Sequence, residues 1–468
     1  MYNAYITRIK NLHKHPNADR LQIGECFGNT VVVSMEYEDN QLGIYFPSDG
    51  QLSVEFAEAN NLLRKKDENG NNVGGYMDPD KRNVTAIKLR GEKSDGLFLP
   101  LKSLESFGDI TTLEEGERID NFNGHEICRK YIPLKQTRHG GYSEGNRTRK
   151  KKVPVAPLFS EHADTEQLAY NLAAFKPGDE IEITLKMHGT SQRTGYLPVL
   201  KGYKRTLWDK ITRKEGKPVY DWGYVSGTRR TVLENYDGGY YGDNAFREQH
   251  SKVFEGKLNK GESVYYEVVG FTTSGTPIMG NGDNKKLNDK DFVKQYGEVT
   301  QFSYGCTPNT ITADITKQED ENGNIPYLPQ SDIYVYRMTM TNEDGFVVEY
   351  TPDFMRYRCE QMGVKTVPVF GKFTIPDYIQ LSDDVGSLQE INAGEYVKNI
   401  AEKYYDGPDP VGKTHIREGV VVRIINRPKF CAYKHKNWYF KALEGIVKVE
   451  AETPDMEEAE TIQNDLEV

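Results

Sequence analysis

The chain has 468 residues, enough for two to four domains that each bury a core. Charged residues make up 28%, tyrosines (30) outnumber phenylalanines (19), and no run approaches eighteen apolar residues, which excludes a membrane-spanning helix. The net charge of −10 does not exclude a polyanionic partner: eight acidic residues lie from Glu450 onward, with no basic residue among them. The rest of the chain is left at about −2, with basic clusters at Arg147–Lys152 and Lys201–Lys217, and the local field decides phosphate contacts.

Residues 1–120 alternate short apolar runs with turns: Ala4–Ile9, Leu21–Glu25, Val31–Met35, Leu42–Phe46, Ala86–Leu89 and Gly96–Leu101. Strands at this density predict a small β-barrel. Met1-Tyr-Asn-Ala-Tyr-Ile opens as a strand with no apolar leader, so secretion is not expected. Five scattered cysteines without a C-x-x-C pair argue against structural zinc and for a reducing compartment, so a cytoplasmic protein is expected. Residues 121–160 read as a basic linker, with the Gly-rich polar run Arg138–Arg147 followed by Thr148–Lys152. Leu168, Leu172 and Phe175 then sit at turn spacing, which predicts a helix over Thr165–Phe175 that Pro177-Gly178 ends.

The stretch Glu180–Ser191 organises the remainder of the chain. Ile181 and Ile183 alternate with Glu182 and Thr184 as in a half-buried strand, which runs into Lys186-Met187-His188-Gly189-Thr190. A lysine at a strand tip, before a turn whose backbone can approach a ligand closely, suits a lysine nucleophile. Further strands carry charge in apolar surroundings: Tyr224–Arg230 ends in Arg229-Arg230, Ser263–Gly270 contains Glu267, Arg417–Arg423 contains Glu418, and Lys429–Trp438 sets Lys434 and Lys436 on one face. Asp332–Arg337 is an aromatic strand bearing Tyr336. Several inward-facing charges are costly unless paired or bound, so together they predict a polar cleft.

In chain order the set is Lys186, Arg229 or Arg230, Glu267, Tyr336, Glu418, then Lys434 and Lys436. It resembles the motif series of the covalent nucleotidyltransferases, and most of all the ATP-dependent RNA ligases of the phage T4 type and their relatives with an N-terminal OB domain. Lys-Met-His-Gly-Thr-Ser matches the RNA-ligase form of the first motif, Arg-Glu-Gly-Val-Val the fourth and Lys-His-Lys-Asn the fifth. The resemblance covers most of residues 160–445. His15-Pro-Asn-Ala-Asp-Arg-Leu21 likewise resembles a segment of OB-fold domains that bind transfer RNA. The expected fold class is α+β: an OB-like RNA-binding barrel (1–120), the linker (121–160), a mixed nucleotidyltransferase domain (161–447) and an acidic tail (448–468), whose composition cannot support a core.

The resemblance implies ATP and Mg2+ as cofactors, RNA with 5′-phosphate and 3′-hydroxyl ends as partner, and a monomer. Lys186 would attack ATP as a neutral amine, although its ordinary pKa is ~10.4, with Lys434, Lys436 and a metal lowering that value and the two lysines holding the α-phosphate. Glu267 and Glu418 would hold Mg2+, or Glu267 the ribose. Arg229, favoured over Arg230, fits ribose or phosphate, and Tyr336 would stack on adenine. His188, Gly189 and Thr190 would lie beside the nucleotide. Leu185 stands where many relatives have glutamate, and 272–330 reads as an insertion. Two rival readings remain. A DNA ligase or capping enzyme usually carries an OB domain after the fifth motif, where about thirty residues remain here. A non-catalytic nucleotide- and nucleic-acid-binding protein would not need Lys186.

Overall fold

A computed structural model describes residues 2–66, 72–75, 77–89, 92–131, 153–206, 216–236, 241, 244–287, 289–308, 329–377, 380–382 and 388–443. The basic run Arg138–Lys152, residues 207–215 of the second basic cluster, residues 309–328 of the expected insertion and the acidic tail 448–468 lie outside the described residues. The architecture is mixed, mostly sheet with short helices, in two compact units. One comprises Met1–Leu134 with Lys441–Asp455, the other Lys135–Phe440 with Met456–Val468.

In the first unit, Ala4–Arg8 is the centre of an antiparallel sheet ordered Leu97–Pro100, Leu42–Phe46, Ala4–Arg8, Arg118–Ile119. A three-stranded meander of Lys10–Lys14, Leu21–Cys26 and Asn29–Ser34 is separate, as is a third sheet in which Cys128–Lys130 pairs with Gly50–Leu52. Ile6, Ile44, Phe46, Phe56 and Leu104, all fully buried, form the core. Among the described residues these ladders do not join into a closed barrel.

The second unit holds two larger sheets. The first is ordered Glu166–Gln167, Ala432–Lys436, Gly419–Ile424, Glu180–Lys186, Val369–Thr374. Its alternation decides its two faces. Ile181, Ile183, Val420, Val422 and Ile424 turn into a core with Val397, Ile400 and Ala401 of the helix Ala393–Glu402, leaving Glu182, Thr184 and Lys186 for the other side. The second sheet is ordered Val232–Leu233, Lys217–Gly227, Thr190–Lys204, Glu262–Gly270, Ser331–Thr341, Val347–Glu349, with Lys365–Thr366 joining Ser331–Thr341 in parallel.

Two local expectations change. Thr165–Phe175 forms a two-residue strand and two single 3-10 turns, Leu168–Tyr170 and Leu172–Ala174, in place of a helix. Asn171 side-chain Nδ2 donates to Gln167 O, and Leu168 and Phe175 are drawn into the core, so local hydrogen bonding and packing outweigh the periodicity. Lys429–Trp438 supplies only the strand Ala432–Lys436, and a short helix begins at Trp438. The helix that backs the Lys186 strand is closed by a capping box, in which Asn392 and Glu395 satisfy each other's backbone N–H at 2.9 and 3.3 Å. Asn392→Ala is expected to lower stability by about 1 kcal/mol in urea unfolding, because it orphans a helix donor.

Candidate active site

Strand register sets three rows of side chains across the first sheet. Lys186, Gly419 and Lys436 stand abreast, then Thr184, Val421 and Lys434, then Glu182, Arg423 and Ala432. Lys186 and the second and third rows floor a cleft, which Ser191, Arg229, Glu267 and Tyr336 help to line from the second sheet and its following turn. Lysines far apart in sequence thus meet because their strands share one neighbour, the Gly419–Ile424 strand.

Glu418 is the hub of the first row. It is 1% exposed, and its Oε1 lies 2.6 Å from Lys186 Nζ and 3.2 Å from Lys436 Nζ. A buried carboxylate shared by two ammonium groups is compensated on its own side and places two cations beside one another. His188 Nδ1 lies 4.0 Å from Glu418 Oε2, and the imidazole is held edge-on by Phe302 and Phe440, each at 4.7 Å between centroids. Gly189 is a steric requirement, since an added Cβ would lie 2.4 Å from Val268 O. Thr190 Oγ1 accepts from the fully buried Arg247 at 2.5 Å, while Ser191 Oγ donates to Glu267 Oε2 at 3.2 Å.

Tyr336 enters from a register shift, where Tyr265 faces Arg337 and Tyr266 faces Val335, so it stands outside the ladder pairing. Such irregularities re-aim a side chain, here towards the cleft with the ring 5.3 Å from His162. Arg229 and Arg230 both bind Asp164, at 2.7 and 3.2 Å, but only Arg229 lines the cleft. Burial pushes the Asp164 carboxyl up, and the two guanidiniums outweigh that and hold it below the usual range. In the third row, Glu182 is gripped by Arg356 at 3.1 and 2.8 Å. Leu185 is 2% exposed.

Of the candidate site residues, Lys186, Arg229, Glu267, Tyr336 and Lys434 line this cleft, Glu418 and Lys436 meet next to Lys186, His188, Gly189 and Thr190 follow Lys186 in the chain, and the Arg230 side chain is half exposed. The sequence reading missed Asp164, Arg193, Arg247 and Tyr304. Arg193 is 1% exposed and donates to the carbonyls of Phe159, Ser160, Thr228 and Arg230, which fixes the turn that carries Arg229. Its signal was a cation inside the strand after the Lys186 turn. For Asp164 and Tyr304, each far in sequence from what it binds, no local signal existed.

Among the described residues no three His, Cys, Asp or Glu side chains gather as a metal site. Glu418 and the 6%-exposed Glu267 are each buried carboxylates, the hard oxygen donors that a divalent cation takes together with water and phosphate.

Behind Glu418, burial pushes the fully buried Asp409 carboxyl up to about 7; the Val411 N–H and Arg417 oppose the shift and Glu418 adds to it. A carboxyl raised above its unfolded value near 3.9 contributes stability that is complete below that value and lost as pH rises through 7. Asp409→Asn keeps an acceptor for the Val411 N–H. It is expected to be more stable than the wild type at pH 8 in urea unfolding, with the difference shrinking towards pH 4.

No protein family model matches the chain, and no curated protein matches its sequence. Solved structures do match. The RNA ligase of Naegleria gruberi with pyrophosphate aligns at TM-score 0.52 and 16% identity, over 94% of this chain and 97% of that one. Two mutants of the same enzyme with ATP and manganese align at TM-score 0.51 and 16% identity, one over 94% of this chain and 98% of its own, the other over 95% and 99%. The chain therefore shares the fold of these RNA ligase structures over nearly its whole length.

Proposed function

We propose that this protein is an ATP-dependent RNA ligase that joins 5′-phosphate and 3′-hydroxyl ends through a covalent lysine–AMP. The observation that carries the proposal is the first row of the cleft, with Lys186 and Lys436 on the single buried carboxylate of Glu418 and Lys434 one row behind. The shared fold with a ligase solved with pyrophosphate and with ATP and manganese supports both the nucleotide and a divalent ion.

In the first step Lys186 Nζ attacks the α-phosphorus of ATP, an N–P bond forms, and the P–O bond to pyrophosphate breaks. Nζ must shed a proton, and Glu418 Oε1 at 2.6 Å is the acceptor beside it. The neighbouring Lys436 ammonium favours that loss by like-charge repulsion. Lys434 and Lys436 stabilise charge that develops on the phosphoryl oxygens. Arg229, anchored by Asp164, contacts ribose or phosphate, and adenine stacks on Tyr336. His188, Gly189 and Thr190 shape the wall next to the reacting phosphate. Mg2+ held by Glu418 and Glu267 with phosphate oxygens and water would neutralise the triphosphate.

The adenylyl group then moves to an RNA 5′-phosphate oxygen, which frees the lysine. A 3′-hydroxyl attacks the activated 5′-phosphorus and AMP leaves. Residues 1–120 serve as an OB-like RNA-gripping domain, residues 161–447 as the catalytic domain, and the protein acts as a cytoplasmic monomer.

The test is incubation with α-labelled ATP and Mg2+ after pyrophosphate treatment, followed by a denaturing gel. Label is expected on the wild type, removable by pyrophosphate, and absent from Lys186→Ala. An unlabelled wild type would leave a nucleotide-binding protein without ligase chemistry as the better account.

A further inference from the structure

The Lys186 strand pairs with its neighbour only as far as Lys186 opposite Gly419, so the turn Met187–Gly189 continues beyond the ladder. The His188 amide in that turn is buried, and a buried N–H needs an acceptor from elsewhere. It finds one in the excursion between the Glu262–Gly270 and Ser331–Thr341 strands. Tyr304 is 3% exposed, and its Oη accepts the His188 N–H at 2.7 Å. Phe302, two residues earlier, sets its ring against the His188 imidazole at 4.7 Å.

This loop is itself braced. The fully buried His415 packs its ring on Tyr304 at 4.6 Å and on Phe302 at 5.2 Å. Tyr304 has φ +51°, a left-handed conformation that a bulky residue keeps only where its surroundings enforce it. The enforcement is visible at Gly412, with φ +75°. A Cβ there would lie 2.7 Å from Gly305 N and 3.0 Å from Tyr304 C, so two backbones are in direct contact.

We propose that Tyr304 is a positioning residue for the lysine–nucleotide step: its hydroxyl fixes the His188 peptide, and through it the direction of Lys186 two residues earlier. This rests on the ligase reading. Reacting atoms must be aligned to within a fraction of an ångström, and a nucleophile at the free end of a strand has no ladder partner beyond it to enforce this.

Tyr304→Phe removes only the acceptor and preserves the ring packing. In single turnovers the maximal rate of Lys186 labelling by α-labelled ATP is expected to fall about tenfold or more. The ATP concentration for half-maximal rate should stay unchanged. Sealing of RNA that already carries a 5′-adenylyl group does not use the lysine, and it should stay within about twofold of the wild type. Equal losses in both assays would reduce Tyr304 to a structural prop and overturn the proposal, as would an unchanged labelling rate. Should Tyr304→Phe fail to fold, Gly412→Ala, which displaces the loop but keeps the hydroxyl, is expected to give the same split, and parallel losses or none would overturn the proposal equally. Wild-type protein is assayed first. If it takes no label, the ligase reading fails and this inference with it; if it labels and the variant labels equally well, only the inference fails.

Discussion

A single buried carboxylate governs this structure. Glu418 is almost completely withdrawn from water and sits 2.6 and 3.2 Å from two lysines that enter on different strands. Each charge alone would carry a large desolvation cost, and removing one partner from such a cluster typically costs about 3–5 kcal/mol, because it strands the others. The pairing of the strands Glu180–Lys186, Gly419–Ile424 and Ala432–Lys436 sets the two lysines abreast of Gly419, next to Glu418. A slip of one residue would turn Lys186 into the core and Ile183 into the cleft, so the apolar face and the charged face enforce the same alignment.

The second sheet answers a different problem, that of placing groups on irregular backbone. Tyr336 stands at a register shift and Arg229 on a turn after a strand, and neither position is held by a ladder. Buried arginines supply the missing rigidity. Arg193 binds the carbonyls beneath the Arg229 turn, and Arg247 binds the Thr190 hydroxyl and the Ser191 carbonyl beside the Lys186 turn. A guanidinium suits this because its five donors can satisfy several carbonyls at fixed angles. The loops around Tyr304 and His415 do the equivalent work for the His188 peptide.

Much of the cleft could be read in advance. The alternation of Ile181 and Ile183 with Glu182 and Thr184 marked both faces of the Lys186 strand, and the odd charges at Glu267, Lys434 and Lys436 in strands, and at Glu418 just before the strand Gly419–Ile424, marked where polar groups turn inward. The density of short runs before residue 120 showed a strand-rich first unit. The helix expected over Thr165–Phe175 was misread because its apolar spacing was real but served two 3-10 turns, with Asn171 bonded back to Gln167. Tyr304 and Asp164 stayed hidden because their significance lies in partners 116 and 65 residues away.

The sequence by itself determined which residue types stand on which face, and in what order the charged positions come, because period-2 alternation and the cost of burying charge are local rules. Only the tertiary structure decided that Lys186, Gly419 and Lys436 share one level with Glu418 beside it, that Arg229 and not Arg230 turns to the cleft, and that a tyrosine from a distant loop holds the turn after Lys186. Those outcomes depend on strand register, a bulge and backbone contacts between loops. Such contacts form between segments remote in sequence, and no short window of residues encodes them.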